Sequence, residues 1–306
     1  MNGFRSLTDL GITPSYSGKV REMVDLGDRL LMVTTDRLSA FDCILPEPLP
    51  EKGQILNELS CFWLRGFEET LPTHYITAAD AELPPEFARH KRNLSGRWVM
   101  VKKAERIPVE CVVRGYLAGS GWGEYRRSGA IQGIELPPGL REFGQLPEPI
   151  FTPTTKEDSG HDQPIDFAEL VARVGQETAD QLRETSLALF RKASVFAKLK
   201  GLVLADTKFE FGRLNGALTL IDEVLTPDSS RYWTVTSYAE NLVRGRAPEC
   251  LDKQYVRDYL LTLNWDRNPP APSLPPRVGA EAVRRYKLAL TMLAGGARQP
   301  DWRLVK

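Results

Sequence analysis

Asp206, Lys208 and Glu210 alternate along one short apolar run, LVLADTKFEFG, and Asp222 and Glu223 close a second run soon after it. Spacing by two sends the first three side chains to one face of a β-strand. Carboxylates and a lysine in apolar surroundings are costly to bury unless an ion is bound among them. Such oxygen ligands suit Mg²⁺, which takes one or two carboxylates and completes its shell with water and phosphate oxygens. The chemistry they point to is the handling of ATP. The plainer alternative is a solvated polar face at the edge of a sheet.

Asn215-Gly216, between the two runs, is a hairpin signal. A two-residue turn would set Glu210 opposite Ile221. A three-residue loop, Asn215 to Ala217, would set it opposite Asp222. A cation shared by both carboxylates needs them on one face, so the longer loop is expected.

Four further motifs carry groups able to hold phosphates or carboxylates. In SGKVR, Gly18 lets backbone approach an anion, with Lys19 as a point charge and Arg21 beside it; an ordinary basic turn would look the same. TDRLSAFD gathers polar groups, among them Ser39 and Asp42, around Ala40-Phe41. ECVVRGYLAGSGW begins as a buried strand and ends in a Gly-Ser-Gly turn. Its Arg114 and Ser120 suit a phosphate ester, through a guanidinium fork and a hydroxyl, while a structural salt bridge is the alternative for the arginine. FTPTTKEDSGHD is a polar loop with Lys156 at its centre; such loops carry function or are simply exposed.

The elements that must position these groups follow from periodicity. Residues 15–50 alternate as short strands, with turns at Gly18 and Gly27-Asp28. KGQILNELSCFWLRGFEE has Ile55, Leu59, Phe62, Trp63 and Phe67 at helical spacing. RWVMVKKAERIPVECVVRGYL reads as strand, connector, strand. Residues 165–200 form one or two helices stopped at Gly201. DKQYVRDYLLTLNW is a helix capped at Asp252, NPPAPSLPP an extended connector, and AEAVRRYKLALTMLA a terminal helix.

Composition narrows the field. The 306 residues carry 40 basic and 40 acidic side chains, a net charge of zero, which favours neither a nucleic-acid nor a membrane partner. No segment is apolar and long enough to span a bilayer, and no secretory signal stands at the N-terminus. Cys43, Cys61, Cys111 and Cys250 are widely spaced and read as reduced thiols of a cytoplasmic protein; His74, His90 and His161 do not cluster as metal ligands.

SGKVRE, TDRLSAFD, KGQILNELSCFW, PVECVVRGYLAGSGW, FTPTTKE, LADTKFEFG and DEVLTPDSSRYW followed by DKQYVRDYL occur in this order over about residues 15–260. Together they resemble the SAICAR synthetase (phosphoribosylaminoimidazole-succinocarboxamide synthase) family. Residues 1–14 and the Pro-rich C-terminal part match less well. The resemblance implies an α+β, two-lobed fold with antiparallel sheets, an ATP cleft between the lobes and C-terminal helices. The expected division is an N-terminal sheet lobe at 1–105, a central α+β lobe with the substrate and metal site at 106–250, and a helical extension at 251–306.

The implied activity is an ATP-dependent ligation. L-Aspartate joins the carboxylate of carboxyaminoimidazole ribonucleotide (CAIR) through an acyl phosphate, giving SAICAR, ADP and phosphate. The enzyme would act as a monomer or homodimer. Carried over by position, Lys208 and Asp206 would sit at the reacting carboxylate. Lys19, Arg21, Lys102, Glu110, Glu210 and Asp222 would bind the nucleotide, the last two through Mg²⁺, and backbone around Ile107–Val109 would read the base. Arg114, Ser120 and Arg231 would hold the 5′-phosphate. Ser39, Asp42, Lys156 and Asp162 would close the site or place aspartate. The absence of any Ser–His or Cys–His pairing fits chemistry done by positioning and charge. Another ATP-dependent small-molecule phosphotransferase, or a non-catalytic nucleotide binder, are the other readings.

Overall fold

A computed structural model describes residues 3–156 and 162–305. Residues 157–161, hence His161 and the middle of the Phe151–Asp162 loop, lie outside the described residues. The chain divides into two compact units, Met1–Ala104 with Thr226–Asp228 and Leu251–Pro300, and Glu105–Leu225 with Ser229–Cys250 and Asp301–Lys306.

The first unit begins with β1 (Tyr16–Ser17), β2 (Arg21–Asp25), β3 (Arg29–Thr34) and a small hairpin, β4 (Ser39–Ala40) and β5 (Cys43–Ile44). Helix α1 (Lys52–Phe67), β6 (Tyr75–Thr77), the single turn α2 (Lys91–Leu94) and β7 (Trp98–Lys102) follow. Its antiparallel sheet runs in the order β1-β2-β3-β7-β6. The period of two divides each strand between two cores. Leu31, Val33, Trp98 and Met100 pack with Leu7, Phe87 and Leu94, while Met32, Val99 and Val101 pack with Cys61 of α1. Burial on both faces corrects the alternation expected over residues 15–50, since β3 is buried along Leu31–Thr34 without a break.

The start of α1 is wired by the TDR motif. Gly53 N–H donates to Asp36 Oδ1 at 2.8 Å, and Arg97 Nη1 donates to the same oxygen at 2.9 Å. A Cβ at Gly53 would stand 2.4 Å from the Thr34 carbonyl oxygen, so only glycine fits there.

The second unit has β8 (Glu105–Tyr116), α3 (Gly119–Ser128), β9 (Ala130–Ile131), β10 (Ile134–Glu135), β11 (Gln145–Phe151) and β12 (Thr154–Thr155). Then come α4 (Phe167–Val174), α5 (Gln176–Leu199), β13 (Leu202–Leu214), β14 (Ala217–Ile221), β15 (Ser230–Thr234) and α6 (Val235–Val243). Its main sheet is ordered β11-β8-β13-β14, with β12 also on β8 and β15 also on β13. Helix α5 covers one face. Gly115 is required there, because a Cβ would stand 2.9 Å from the Phe190 ring. Residues 165–200 become two helices, since Gly175 takes φ 82° and breaks them.

The hairpin corrects the expected register. The turn has two residues, with Leu214 opposite Ala217 and Glu210 opposite Ile221, and Asn215 and Gly216 take φ of 50° and 81°. Both values suit a type I′ turn, whose twist matches the strands, and Asn-Gly is its preferred sequence. Asp222 nevertheless acts on Glu210 through its charge. It stands just past the end of β14 at φ 63°, where the chain has left the ladder.

The chain returns to the first unit in α7 (Gln254–Leu261) and α8 (Pro276–Leu293). Asp252, expected as the cap of α7, lies one residue before the observed cap Lys253 and accepts the Gln254 N–H at 2.7 Å. Helix α8 starts four residues before the expected AEAVRR run, because Pro276 occupies its first turn, where no N–H is needed. Lys52 and Asp228 are fully buried in this unit, 2.8 Å apart, and Tyr286 donates to Asp228 at 2.7 Å. Despite its burial, Lys253 and Lys52 hold Asp228 well below the usual carboxylate range.

Candidate functional site

The face of the β8–β13 pair turned away from α5 carries a row of chemistry. Opposite pairs along it are Asp206 with Arg114, Lys208 with Val112, and Glu210 with Glu110. Side chains directly opposite share a face, so the whole row points away from α5. The other edge of β13 is lined by β15 at 202–207 and by β14 at 210–214, leaving Lys208–Phe209 between them.

At one end lies a carboxylate–lysine cluster. Glu110 and Glu210 are buried, 4% and 8% exposed, and face one another across the ladder. Like charges in that position repel. Lys156 bridges them at 2.9 Å to each, Lys208 reaches Glu110 at 2.6 Å, and Thr154 donates to Glu110 Oε2 at 3.2 Å. The balance differs between the two acids. Against its own burial, Glu110 is held low by Lys208 and Lys156. Burial and the Asp222 charge raise Glu210 to about 7, against the pull of Lys156. The same carboxylates, Glu210 first, raise Lys156 despite its burial.

At the other end lies an arginine cluster. Arg231 is ion-paired with Asp206. Arg114 Nε donates to Thr152 at 3.0 Å, and its Nη2 to Ser120 Oγ at 3.3 Å. Burial lowers the Arg114 pKa, Asp206 opposes this, and the Arg231 charge lowers it further. The Gly-Ser-Gly segment, read from sequence as a turn, is the first turn of α3. A Cβ on Gly119 would stand 2.8 Å from Arg231 Nη2, and one on Gly121 3.3 Å from Arg114 Nη1. Two guanidiniums, a hydroxyl and a helix N-terminus thus converge, an arrangement suited to an anion with several oxygens.

Ten of the candidates belong to the second unit: Glu110, Arg114, Ser120, Lys156, Asp162, Asp206, Lys208, Glu210, Asp222 and Arg231. All but Asp162 enter the two clusters; Asp162 is exposed beside the segment that is not described. Lys208 was expected among Asp206 and Glu210, its strand neighbours, but it reaches across to Glu110. Among the described residues no three His, Cys, Asp or Glu side chains converge as metal ligands. Glu210 and Asp222 therefore offer only part of a coordination shell.

The remaining candidates belong to the first unit. Lys19 is ion-paired with Asp42, Arg21 lies on β2, Lys102 is exposed at the end of β7, and Ser39 is buried in β4. Arg37 was missed by the sequence reading. It donates to the Gly18 carbonyl at 2.9 Å and the Lys19 carbonyl at 3.0 Å, and its partner Glu22 is buried at 2.8 Å, so it fixes the glycine turn. Thr152 and Thr154 were missed as well. Their signal is the spacing of two in FTPTT, which sets both beside β8.

Comparison with known proteins identifies the family. The family described as SAICAR synthetase matches residues 14–272. The phosphoribosylaminoimidazole-succinocarboxamide synthase of Syntrophobacter fumaroxidans is 50% identical over 279 residues, 91% of each chain. That of Desulfosudis oleivorans is 50% identical over 286 residues, 93% of this chain and 96% of the relative. The structure resembles SAICAR synthase from Saccharomyces cerevisiae complexed with SAICAR, with a TM-score of 0.82 and 36% identity over 93% of this chain and 95% of that one. It also resembles a SAICAR synthetase in complex with ADP, with a TM-score of 0.65 and 25% identity over 92% and 97% of the two chains. Matched this closely over most of its length, the chain belongs to the SAICAR synthetase family, ligases of purine biosynthesis.

Proposed function

We propose that the enzyme joins L-aspartate to the carboxylate of carboxyaminoimidazole ribonucleotide with consumption of ATP, giving SAICAR, ADP and phosphate. The observation that carries this reading is the single row on β8–β13, with acids at one end, guanidiniums at the other and Lys208 between them. The ends are four residues apart, about 13 Å along the strand. A ribonucleotide laid along the row would place its 5′-phosphate on Arg114, Ser120 and Arg231 and its imidazole carboxylate near Lys208 and Asp206. The SAICAR and ADP complexes of similar proteins support this choice of ligands.

ATP would lie toward Glu110, Glu210 and Asp222, with Lys19, Arg21, Lys102 and backbone near Ile107–Val109 also assigned to the nucleotide. Glu210 and Asp222 suit a divalent cation, because burial and mutual repulsion leave Glu210 short of positive charge. Mg²⁺ held there with nucleotide oxygens would neutralise phosphate charge. The carboxylate oxygen attacks the γ-phosphorus and ADP leaves. The aspartate amine then attacks the acyl phosphate, and the transferred oxygen departs in inorganic phosphate. Lys208 stabilises charge at the transfer point, and Asp206 orients Arg231. Ser39, Asp42, Lys156 and Asp162 are assigned to closing the site or placing aspartate. The four cysteines are buried and form no disulfide with one another, in keeping with a reducing cytoplasm.

An ADP-release assay with each substrate omitted in turn tests the proposal. Steady release should require both the ribonucleotide and aspartate, and ¹⁸O in the substrate carboxylate should emerge in phosphate. Equal release without aspartate would instead indicate a plain phosphotransferase.

A further inference from the structure

The β4–β5 hairpin turns through two residues, Phe41 and Asp42, since Ala40 pairs with Cys43. Both take left-handed backbone conformations, φ 51° and 63°. This turn normally uses Asn, Asp or Gly, and a bulky aromatic residue at positive φ is an outlier. Something must hold the ring for the turn to persist. The Phe41 ring meets Trp265 edge-on, with centroids 6.1 Å apart, and the Arg267 guanidinium lies 5.1 Å over it. The Arg267 carbonyl accepts from Cys43 Sγ at 3.3 Å, so the clamp grips the strand beyond the turn as well. Trp265 is itself fixed by donating its indole N–H to Asn268 at 2.7 Å. Beneath, Leu38, Ala40, Cys43, Leu45 and Leu49 share one apolar core with Val256, Leu260, Leu274 and Val278. All of these residues belong to the first unit. At the tip, Asp42 is half exposed and pairs with Lys19, whose own turn is fixed by Arg37.

We infer that Trp265 and Arg267 are positioning residues for the nucleotide: by clamping Phe41 they hold the strained turn that presents Asp42 to Lys19. The inference rests on the proposed contact of Lys19 with ATP phosphates. It gives the C-terminal segment a task in the reaction. A loosened turn leaves Asp42 free to swing, and Lys19 then loses orientation when ATP arrives.

The test compares four variants of the full-length enzyme by thermal melting and by steady-state kinetics with Mg-ATP. Trp265→Leu with Arg267→Gln removes both sides of the clamp. Phe41→Ala removes the ring and keeps a side chain at the strained backbone position. Leu274→Ala weakens the same core without touching the ring. Asp42→Asn removes the presented charge. The first two should raise the KM for ATP about five- to tenfold with kcat within about twofold. Leu274→Ala should lower the melting temperature and leave that KM within about twofold. If KM follows melting temperature across all of them, or if Phe41→Ala and the clamp variant keep the parental KM while Asp42→Asn raises it, the clamp is only packing. If Asp42→Asn itself leaves the KM for ATP unchanged, the assignment of the Lys19–Asp42 pair to the nucleotide falls instead, and the clamp with it.

Discussion

Replacing Glu210 by glutamine should make the ligand-free enzyme more stable while disabling it. The glutamate is buried, faces Glu110 across the ladder and feels the Asp222 charge. Its pKa rises from an ordinary 4.5 to about 7. The folded state therefore binds this proton more tightly than the unfolded chain does. Stability falls as pH climbs from about 4.5 through about 7 and levels off above. Each decade of proton affinity is about 1.36 kcal/mol, so the loss comes to about 3 kcal/mol at pH 8. Glutamine keeps the shape without the charge, and Lys156 retains Glu110 at 2.9 Å. Urea unfolding of both proteins between pH 5 and 8.5 should show near-equal stability at the acid end and a glutamine advantage of about 2–3 kcal/mol at the alkaline end. Mg-ATP should then stabilise the parent much more than the variant. A variant less stable than the parent at pH 8, or a difference independent of pH, would refute the reasoning.

Three further outcomes are expected. Lys208→Met should remain folded and bind ATP, with single-turnover rates lower by orders of magnitude, since one preorganised charge is worth about 3–4 kcal/mol of barrier. Arg231→Lys loses the planar fork that meets Asp206, and the KM for the ribonucleotide should rise more than the KM for ATP. Tyr286→Phe removes the 2.7 Å bond to the buried Asp228 and should cost about 1.5–3 kcal/mol in urea unfolding, with no change in either KM.

Elements set by local periodicity were legible in the sequence. The α1 residues Ile55, Leu59, Phe62, Trp63 and Phe67 are all buried as their spacing requires, and β8 and β13 fall where the apolar runs lie. The hairpin turn was legible too, because Asn-Gly alone specifies two residues. The expected longer loop came from a demand placed on Asp222 that a local change of backbone direction makes unnecessary. What sequence could not reveal is long-range registry. Nothing in ECVVRG states that Glu110 will stand opposite Glu210, or that Lys156 will bridge them. Nor does KGQILN show that Lys52 will be fully buried, since only Asp228, far along the chain, makes such burial tolerable. Pro276 read as an obstacle to helix, although its ring suits a first turn.

Lys208 and Glu110, joined in one cluster, lie 98 positions apart in the chain. During synthesis the ribosome must therefore deliver β13 before that cluster can be complete. A growing chain that has released only β8 and Lys156 holds half of a charge network and lacks Glu210 and Asp222. Formation of the β8–β13 ladder is a late, long-range event, of the kind that slows folding. Ligands that prefer the completed row draw the newly made protein toward it by mass action. Cellular nucleotide would thus assist maturation of the enzyme as well as serve as its fuel.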